Sequence, residues 1–595
     1  MGNTLVLPAT SLPKKVMTPR GSNGADLLCR TLESLGIEHV FGVPGTQSVP
    51  LYEAIQRSKL RSVVSTHELA ASFMANGYYR ASGKVAPVVT IPGPGFTYAL
   101  TGVAEASQDS VALLHIVGQP AARAGKMYEF QSIDQESVAA PLVKGVRSVD
   151  RVEDIPWAVA EAFGLAVTGE PGPVLLQWSR DALASPLTSR VDPPRNEPIR
   201  EMPPDDSLVD EAVELLCKAR RPVLLLGQGV VAAAGRLQEL AESIGSPVFT
   251  TISGRGILPE DHDLALGFDL VRSEVGTLNE LIVQSDCVAA FGCKLSSAVT
   301  GGFLLDLPSD RLIRVEASEE VLRANYPART AILGSTNTVL DRMLPAVKGK
   351  RKPSAGGWTR DEIEGWKKRL RIVPKNAVPE PLVHGVTPAT AESFFGALRR
   401  ALPRNAILVA DSGLHQALVR RHFDVLSPRG LILPNDFQSM GFGLPAAIGA
   451  KIAAPERPVA AVIGDGGFAM SGMELLTAVR EKIPLTVIVF NDGRLNLIRL
   501  QQFSSSGRSE SVDILNPDFG AFAAAVGAQY AVVDGNAEQV LKHAVNSAQV
   551  TLIEVKVGDS PAIHLMRAKG LVRETARAAL GPGIVRRIKS WRKGR

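Results

Sequence analysis

The stretch from Val459 to Gln502 reads "VAAVIGDGGFAMSGMELLTAVREKIPLTVIVFNDGRLNLIRLQQ". The runs "VAAVI" and "LTVIVF" are short, rich in β-branched residues and bounded by Gly, Pro or polar residues, as buried strands are. Between them, Gly472 to Lys482 carries apolar residues at helical spacing. A right-handed strand–helix–strand crossover makes the two strands parallel. Asp465 and Asn491 then leave the same sheet edge, where open α/β sheets bind ligands. Gly464, Gly466 and Gly467 let main-chain amides approach a phosphate, and the helix after them directs its positive end there. One carboxylate, one amide oxygen and a main-chain carbonyl near Gly493, completed by phosphate oxygens and water, suit octahedral magnesium. The stretch therefore reads as a diphosphate and divalent-metal site, although a Gly-Asp-Gly standing alone would signal no more than a tight turn.

Working outward, 595 residues exceed what a single core supports and imply about three to four domains. A hydrophobic content of 45% with 21% charged residues is that of a soluble globular chain. No apolar run reaches membrane-spanning length, and "MGNTLVLPATSLPKKVMTPR" lacks the apolar centre of a secretory signal. Cys29, Cys217, Cys287 and Cys293 show no metal-ligand spacing, which fits reduced core thiols in a cytoplasmic protein. The formal charge of +5 is carried by the C-terminus, where residues 566–595 hold ten Lys or Arg against one acid. Such a segment reads as a solvated helix; neither nucleic acid nor membrane is expected as a partner.

Two seams divide the chain: the proline-dense "RVDPPRNEPIREMPPDDS" from Arg190 to Ser207, and the polar stretch from Lys348 to Thr387. Each third alternates strand-like runs ("VVTI", "ALLHIVG", "PVLLQW"; "PVLLLG", "CVAAFG", "RLIRVEA"; "ILVAD", "AAVIGDG", "TLIEVKV") with helical periodicity. The expected fold is α/β, with three doubly wound parallel-sheet domains over 24–189, 208–346 and 388–561. A disordered leader (1–23) and a basic tail (562–595) flank them. In the first third, "STHELAASFMANGYYRASGK" (Ser65–Lys84) places Leu69, Phe73 and Met74 at helical spacing with Thr66 as cap. Glu68 thus falls in a first turn, where by itself a Glu is an ordinary helix-dipole residue.

Gly-Asp-Gly followed, one helix and one strand later, by Asn-Asp-Gly resembles the cofactor signature of thiamine diphosphate enzymes. The resemblance runs from about Gly24 to Pro561, in the order pyrimidine-binding, central and diphosphate-binding domain. It implies thiamine diphosphate and Mg2+ as cofactors, with Asp465, Asn491 and the Gly493 carbonyl holding the ion and Gly466 and Gly467 beside the diphosphate. "HELAA" followed by "NGYYRASGK" is similar to the family's pyrimidine-binding segment, so Glu68 would activate the cofactor. In "ADSGLHQALVRRHF" and "NDFQSMGFGLPAAIGAKIA", Gly413, Leu414 and His415 would contact the diphosphate. Met440 would support the bent cofactor, and the main-chain carbonyl of Gln438, a position that is Gly in several branches, would accept from the aminopyrimidine. The resemblance further implies a 2-oxo acid substrate and a homodimer or homotetramer with each active site across two subunits.

Branch-specific residues narrow the reaction. Pyruvate decarboxylase-like members carry adjacent histidines where this chain has His115-Ile116, and an acid where it has Leu497 and Ile498; the benzoylformate decarboxylase branch has a histidine where it reads Thr90-Ile91-Pro92. "GQPAARAGKMYEFQSIDQESVAAPLVKGVRSV" and "NDGRLNLIRLQQ" instead resemble the acetolactate synthase group, with Phe130 and Gln131 matching an active-site pair. In the central third, "GFDLVRS" and "FGCKLSSAVTGG" depart from the flavin-binding members, so FAD is not expected and a structural role is. The expected activity is decarboxylation of a pyruvate-like 2-oxo acid with acyl transfer to a second carbonyl. Nonoxidative decarboxylation to an aldehyde, or a non-catalytic cofactor-binding scaffold, are the alternatives.

Overall fold

The computed structural model describes residues 22–119, 129–187, 191–193, 203–267, 269, 274–350, 357–371 and 378–575. Most of the leader expected over 1–23, and the end of the basic tail beyond 575, lie outside these residues. The first domain holds strands β1 (His39–Gly42), β2 (Arg61–Val64), β3 (Val88–Thr90), β4 (Leu113–Gln119), β5 (Val146–Val149) and β6 (Pro173–Ser179), in the order β2-β1-β3-β4-β6-β5. The central domain holds β7 (Pro222–Leu226), β8 (Val248–Thr250), β9 (Cys287–Phe291), β10 (Leu312–Glu316) and β11 (Thr330–Leu333), ordered β11-β10-β9-β7-β8. The third holds β12 (Leu382–Val383), β13 (Ile407–Ala410), β14 (Leu431–Ile432), β15 (Val459–Gly464), β16 (Thr486–Asn491), β17 (Gln529–Val532) and β18 (Thr551–Gly558). Its order is β12-β18-β16-β15-β13-β14, with β17 also paired to β18.

All three are doubly wound, and in each the order reverses beside the domain's first main strand: between β1 and β3, β7 and β9, and β13 and β15. The third sheet is not wholly parallel, because β12 runs antiparallel to β18. A two-residue edge strand needs no crossover helix and so escapes the rule that makes the others parallel.

The near-continuous apolar runs follow from burial on both faces. In β13 and β15, Ile407, Val409, Ala461 and Ile463 enter one core, while Leu408, Ala410, Ala460 and Val462 enter another. The first of these cores is shared, since Phe41, Val63, Val88 and Leu113 of the first domain pack into it as well. Two helices form the seam, Glu68–Ser82 and Gly443–Ala453. A Cβ on Gly77 would stand 2.0 Å from the Ala446 carbonyl oxygen, and one on Gly449 would stand 1.9 Å from that of Met74. Glycine on both helices is what allows their backbones to touch. A cavity of ≈ 320 Å³ opens between the three domains, where Gln228, Gly229, Gly292 and Glu316 line the carboxyl edge of the central sheet. Burial pushes the Glu316 carboxyl up to about 7.

Candidate active site

At the switch point of the third sheet, β13 runs into Asp411, Ser412 and Gly413, and Gly413 caps the helix Leu414–His422. Gly413 has φ 145°, and a Cβ there would stand 2.7 Å from the His415 ring, so the imidazole lies folded back over its own turn. His415 is buried, its Nε2 has no partner, and burial lowers its pKa to about 4, which leaves a neutral ring at pH 7. Ser412, Gly413, Leu414, His415, Met440, Asp465, Gly466, Gly467 and Asp492 line one cavity of ≈ 140 Å³. A Cβ on Gly466 would stand 2.9 Å from Leu495 Cδ2 and 3.4 Å from Met440 Cε, so the glycine keeps this floor open.

Asp411, which sequence reading passed over, fixes the loop that carries Met440. Its carboxylate accepts from the Ser412 amide at 2.7 Å and the Gly441 amide at 3.0 Å, and burial pushes it up to about 7. Gln438 stands at φ 65°, a left-handed conformation that costs a non-glycine residue energy. Its side-chain amide donates to the carbonyls of Pro434 and Asn435 at 3.0 and 2.6 Å.

Asp465 and Asn491 meet as the crossover requires. Asp465 Oδ2 accepts from the Gly493 amide at 2.7 Å and from Asn516 Nδ2 at 2.7 Å, and the same Asn516 nitrogen donates to Asn491 Oδ1 at 2.9 Å. The Gly493 carbonyl accepts from the Ile514 amide at 2.9 Å; an oxygen with two lone pairs keeps one for an ion. A short helix, Asp465–Ser471, follows β15 directly, and the helix expected over Gly472–Lys482 is present as Glu474–Arg480. The second of these meets the first domain. Thr66 donates from its amide to Glu474 Oε1 at 2.9 Å and also through its hydroxyl. Thr66 is therefore not the helix cap expected: His67 takes that place, its Nδ1 accepting from the Leu69 amide at 3.1 Å.

Glu68 opens its helix after β2, half-buried, beside Gly95, where a Cβ would stand 3.0 Å from Glu68 Oε1. Gln131 lies at the same sheet edge, against Gly93, with φ 61° and a buried Oε1 that has no partner. Phe130 next to it is 74% exposed. Within one chain, Glu68 and the Met440 loop lie against opposite ends of one helix. Gly95 begins the helix Pro94–Gln108, whereas the Ser439 amide is bound at 2.9 Å by Glu105 near its other end. Ten residues of helix separate the two by about 15 Å.

The residues fit a diphosphate and a hard cation: an unpartnered buried imidazole nitrogen, bare glycine backbone, and a carboxylate and an amide oxygen converging on one point. Residues 411–555 match the C-terminal TPP binding domain of thiamine pyrophosphate enzymes, 22–138 match the N-terminal TPP binding domain, and 209–343 match the central domain. The chain belongs to the thiamine pyrophosphate enzyme family. It is 30% identical to the acetolactate synthase large subunit of Corynebacterium glutamicum over 96% of this chain and 93% of that one. It is 32% identical to an acetolactate synthase of Mycobacterium bovis, over 94% and 92% respectively. A probable 2-ketoarginine decarboxylase of Pseudomonas aeruginosa is also 32% identical, over 93% and 96%.

Proposed function

We propose that this thiamine diphosphate enzyme decarboxylates a pyruvate-like 2-oxo acid and transfers the acyl unit to a second carbonyl, as an acetolactate synthase-like carboligase in the cytoplasm. When bound, the cofactor supplies the electron sink that loss of carbon dioxide requires. Asp465, Asn491 and the Gly493 carbonyl would hold Mg2+ against the diphosphate, with His415 and the amides following Gly413 on its other side. Glu68 would exchange a proton with a ring nitrogen of the pyrimidine, the Gln438 carbonyl would accept from its amine, and Met440 would hold the bend.

The separation of Glu68 from Met440 in one chain supports a shared site, completed by a second copy in a homodimer or homotetramer. Tyr98, Met470 and Met473 lie exposed near Glu68 and the Glu474 contact, which fits their burial against that copy.

Gln131 carries the choice of carboligation. An amide at the edge shared with Glu68 positions an acceptor without protonating the two-carbon unit. His115, the histidine closest in sequence to a decarboxylase donor, is sealed in the sheet, bonded to Thr90 Oγ1 at 2.9 Å and stacked on Phe96. Burial lowers its pKa to about 3, so at neutral pH the ring is neutral and is not the imidazolium that a proton donor would have to be. The second reading, nonoxidative decarboxylation, is favoured by the 2-ketoarginine decarboxylase relative. Incubation of the protein with thiamine diphosphate, Mg2+ and a panel of 2-oxo acids decides between them. A ligated hydroxy-keto acid is expected; an aldehyde alone supports the second reading; no carbon dioxide from any acid leaves the scaffold alternative.

A further inference from the structure

Glu554 is a buried carboxylate in strand β18, between the buried Ile553 and Val555, and burial of a charge demands partners. It has two. Asn491 Nδ2 donates to its Oε1 at 2.8 Å, and the Tyr530 hydroxyl donates to its Oε2 at 2.5 Å. The pleat explains the meeting. Glu554 sits level with Val489 of β16 and Val532 of β17, so Asn491 and Tyr530, each two residues away along its strand, share its face.

An asparagine amide turns end for end with almost no change of shape, yet one end attracts a cation and the other repels it. A carboxylate accepts only, so Glu554 takes the NH2 end of Asn491 and leaves Oδ1 facing Asp465. The Tyr530 hydroxyl fixes the carboxylate plane. Asn516, 25 residues beyond Asn491, then draws Asn491 Oδ1 and Asp465 Oδ2 onto its one nitrogen.

We propose that Tyr530, Glu554 and Asn516 are positioning residues that orient Asn491 toward Asp465 and so set the affinity for the divalent ion. This rests on the assignment of Asp465 and Asn491 as its ligands.

The test is a titration of the full-length protein and thiamine diphosphate with Mn2+, reading free Mn2+ by electron paramagnetic resonance. Glu554→Leu and Asn516→Ala are expected to weaken binding by about 10- to 100-fold. Glu554→Gln still offers Asn491 an oxygen and is expected to recover most of the affinity. Asp465→Asn separates the two claims. If it loses Mn2+ while Glu554→Leu and Asn516→Ala bind as the wild type does, the positioning role is overturned and the ligand assignment stands. If Asp465→Asn also binds as the wild type does, both fall. Should Glu554→Leu not fold, Asn516→Ala, altered in a half-buried loop, and Tyr530→Phe carry the same expectation and the same refutation.

Discussion

Gln131 and Gln438 hold left-handed backbone, a cost that persists where surrounding structure demands it. Both came from the sequence as candidate site residues, through a family resemblance, and no local pattern predicts their φ. Asp465 and Asn491 were legible for a different reason: a crossover brings two strand ends together whatever the intervening sequence. Asn516 and Glu554 were not legible, because they reach the same point from a loop and a strand that share no motif with it. Asp411 was hidden likewise, since the partner that ties it to the Met440 loop is a main-chain amide, that of Gly441, thirty residues on. At this scale the expected result concerns Glu68. Glu68→Gln should take up thiamine diphosphate and Mg2+ in calorimetry much as the wild type does, while carbon dioxide release falls by about 10²- to 10⁴-fold. Unchanged turnover would remove its assigned role.

At the scale of elements, every one of the nine quoted apolar runs contains a strand, because a strand buried on both faces has no polar face to interrupt it. What escaped are short strands such as Arg61–Val64, Val146–Val149, Thr330–Leu333 and Leu431–Ile432. These lie at sheet edges, where burial is partial or the run is too short to show a period. The glycine seam between Glu68–Ser82 and Gly443–Ala453 was equally silent, since a glycine in a helix signals close approach only once its neighbour is known. Gly77→Ala is expected to lower stability by about 1–3 kcal/mol, because its Cβ meets main chain that cannot step aside. Gly164→Ala, with nothing within 4 Å of its Cβ, is expected to raise stability by about 0.5–1 kcal/mol. Thermal unfolding of the two variants side by side checks both signs.

At the scale of the whole molecule, the first and third domains are joined by more than apolar packing. Glu105 and Asp109, one helical turn apart, bind the loop before Met440 through the amides of Ser439, Asn435 and Asp436, with Arg80 bridging Asp109 to the Leu433 carbonyl. Burial first, and the Asp109 carboxylate second, push Glu105 from its ordinary 4.5 up to about 7. A carboxyl raised on folding binds its proton more tightly in the native state. Its contribution is full below about pH 4.5 and lost as pH rises through 7. The unfolding midpoint of wild type relative to Glu105→Gln is therefore expected to fall between pH 5 and 8; a flat difference would mean the acid is ionised throughout.

The division of labour between copies, with Glu68 from one and Asp465 from the other, is what the proposed function depends on most. Co-expression of Glu68→Gln with Asp465→Asn tests it directly. Each variant alone should be nearly inactive, and the mixture should regain about a quarter of wild-type turnover, because half of randomly paired dimers carry one intact site of two. A mixture no more active than its two parts, with heterodimers present, would contradict the shared site.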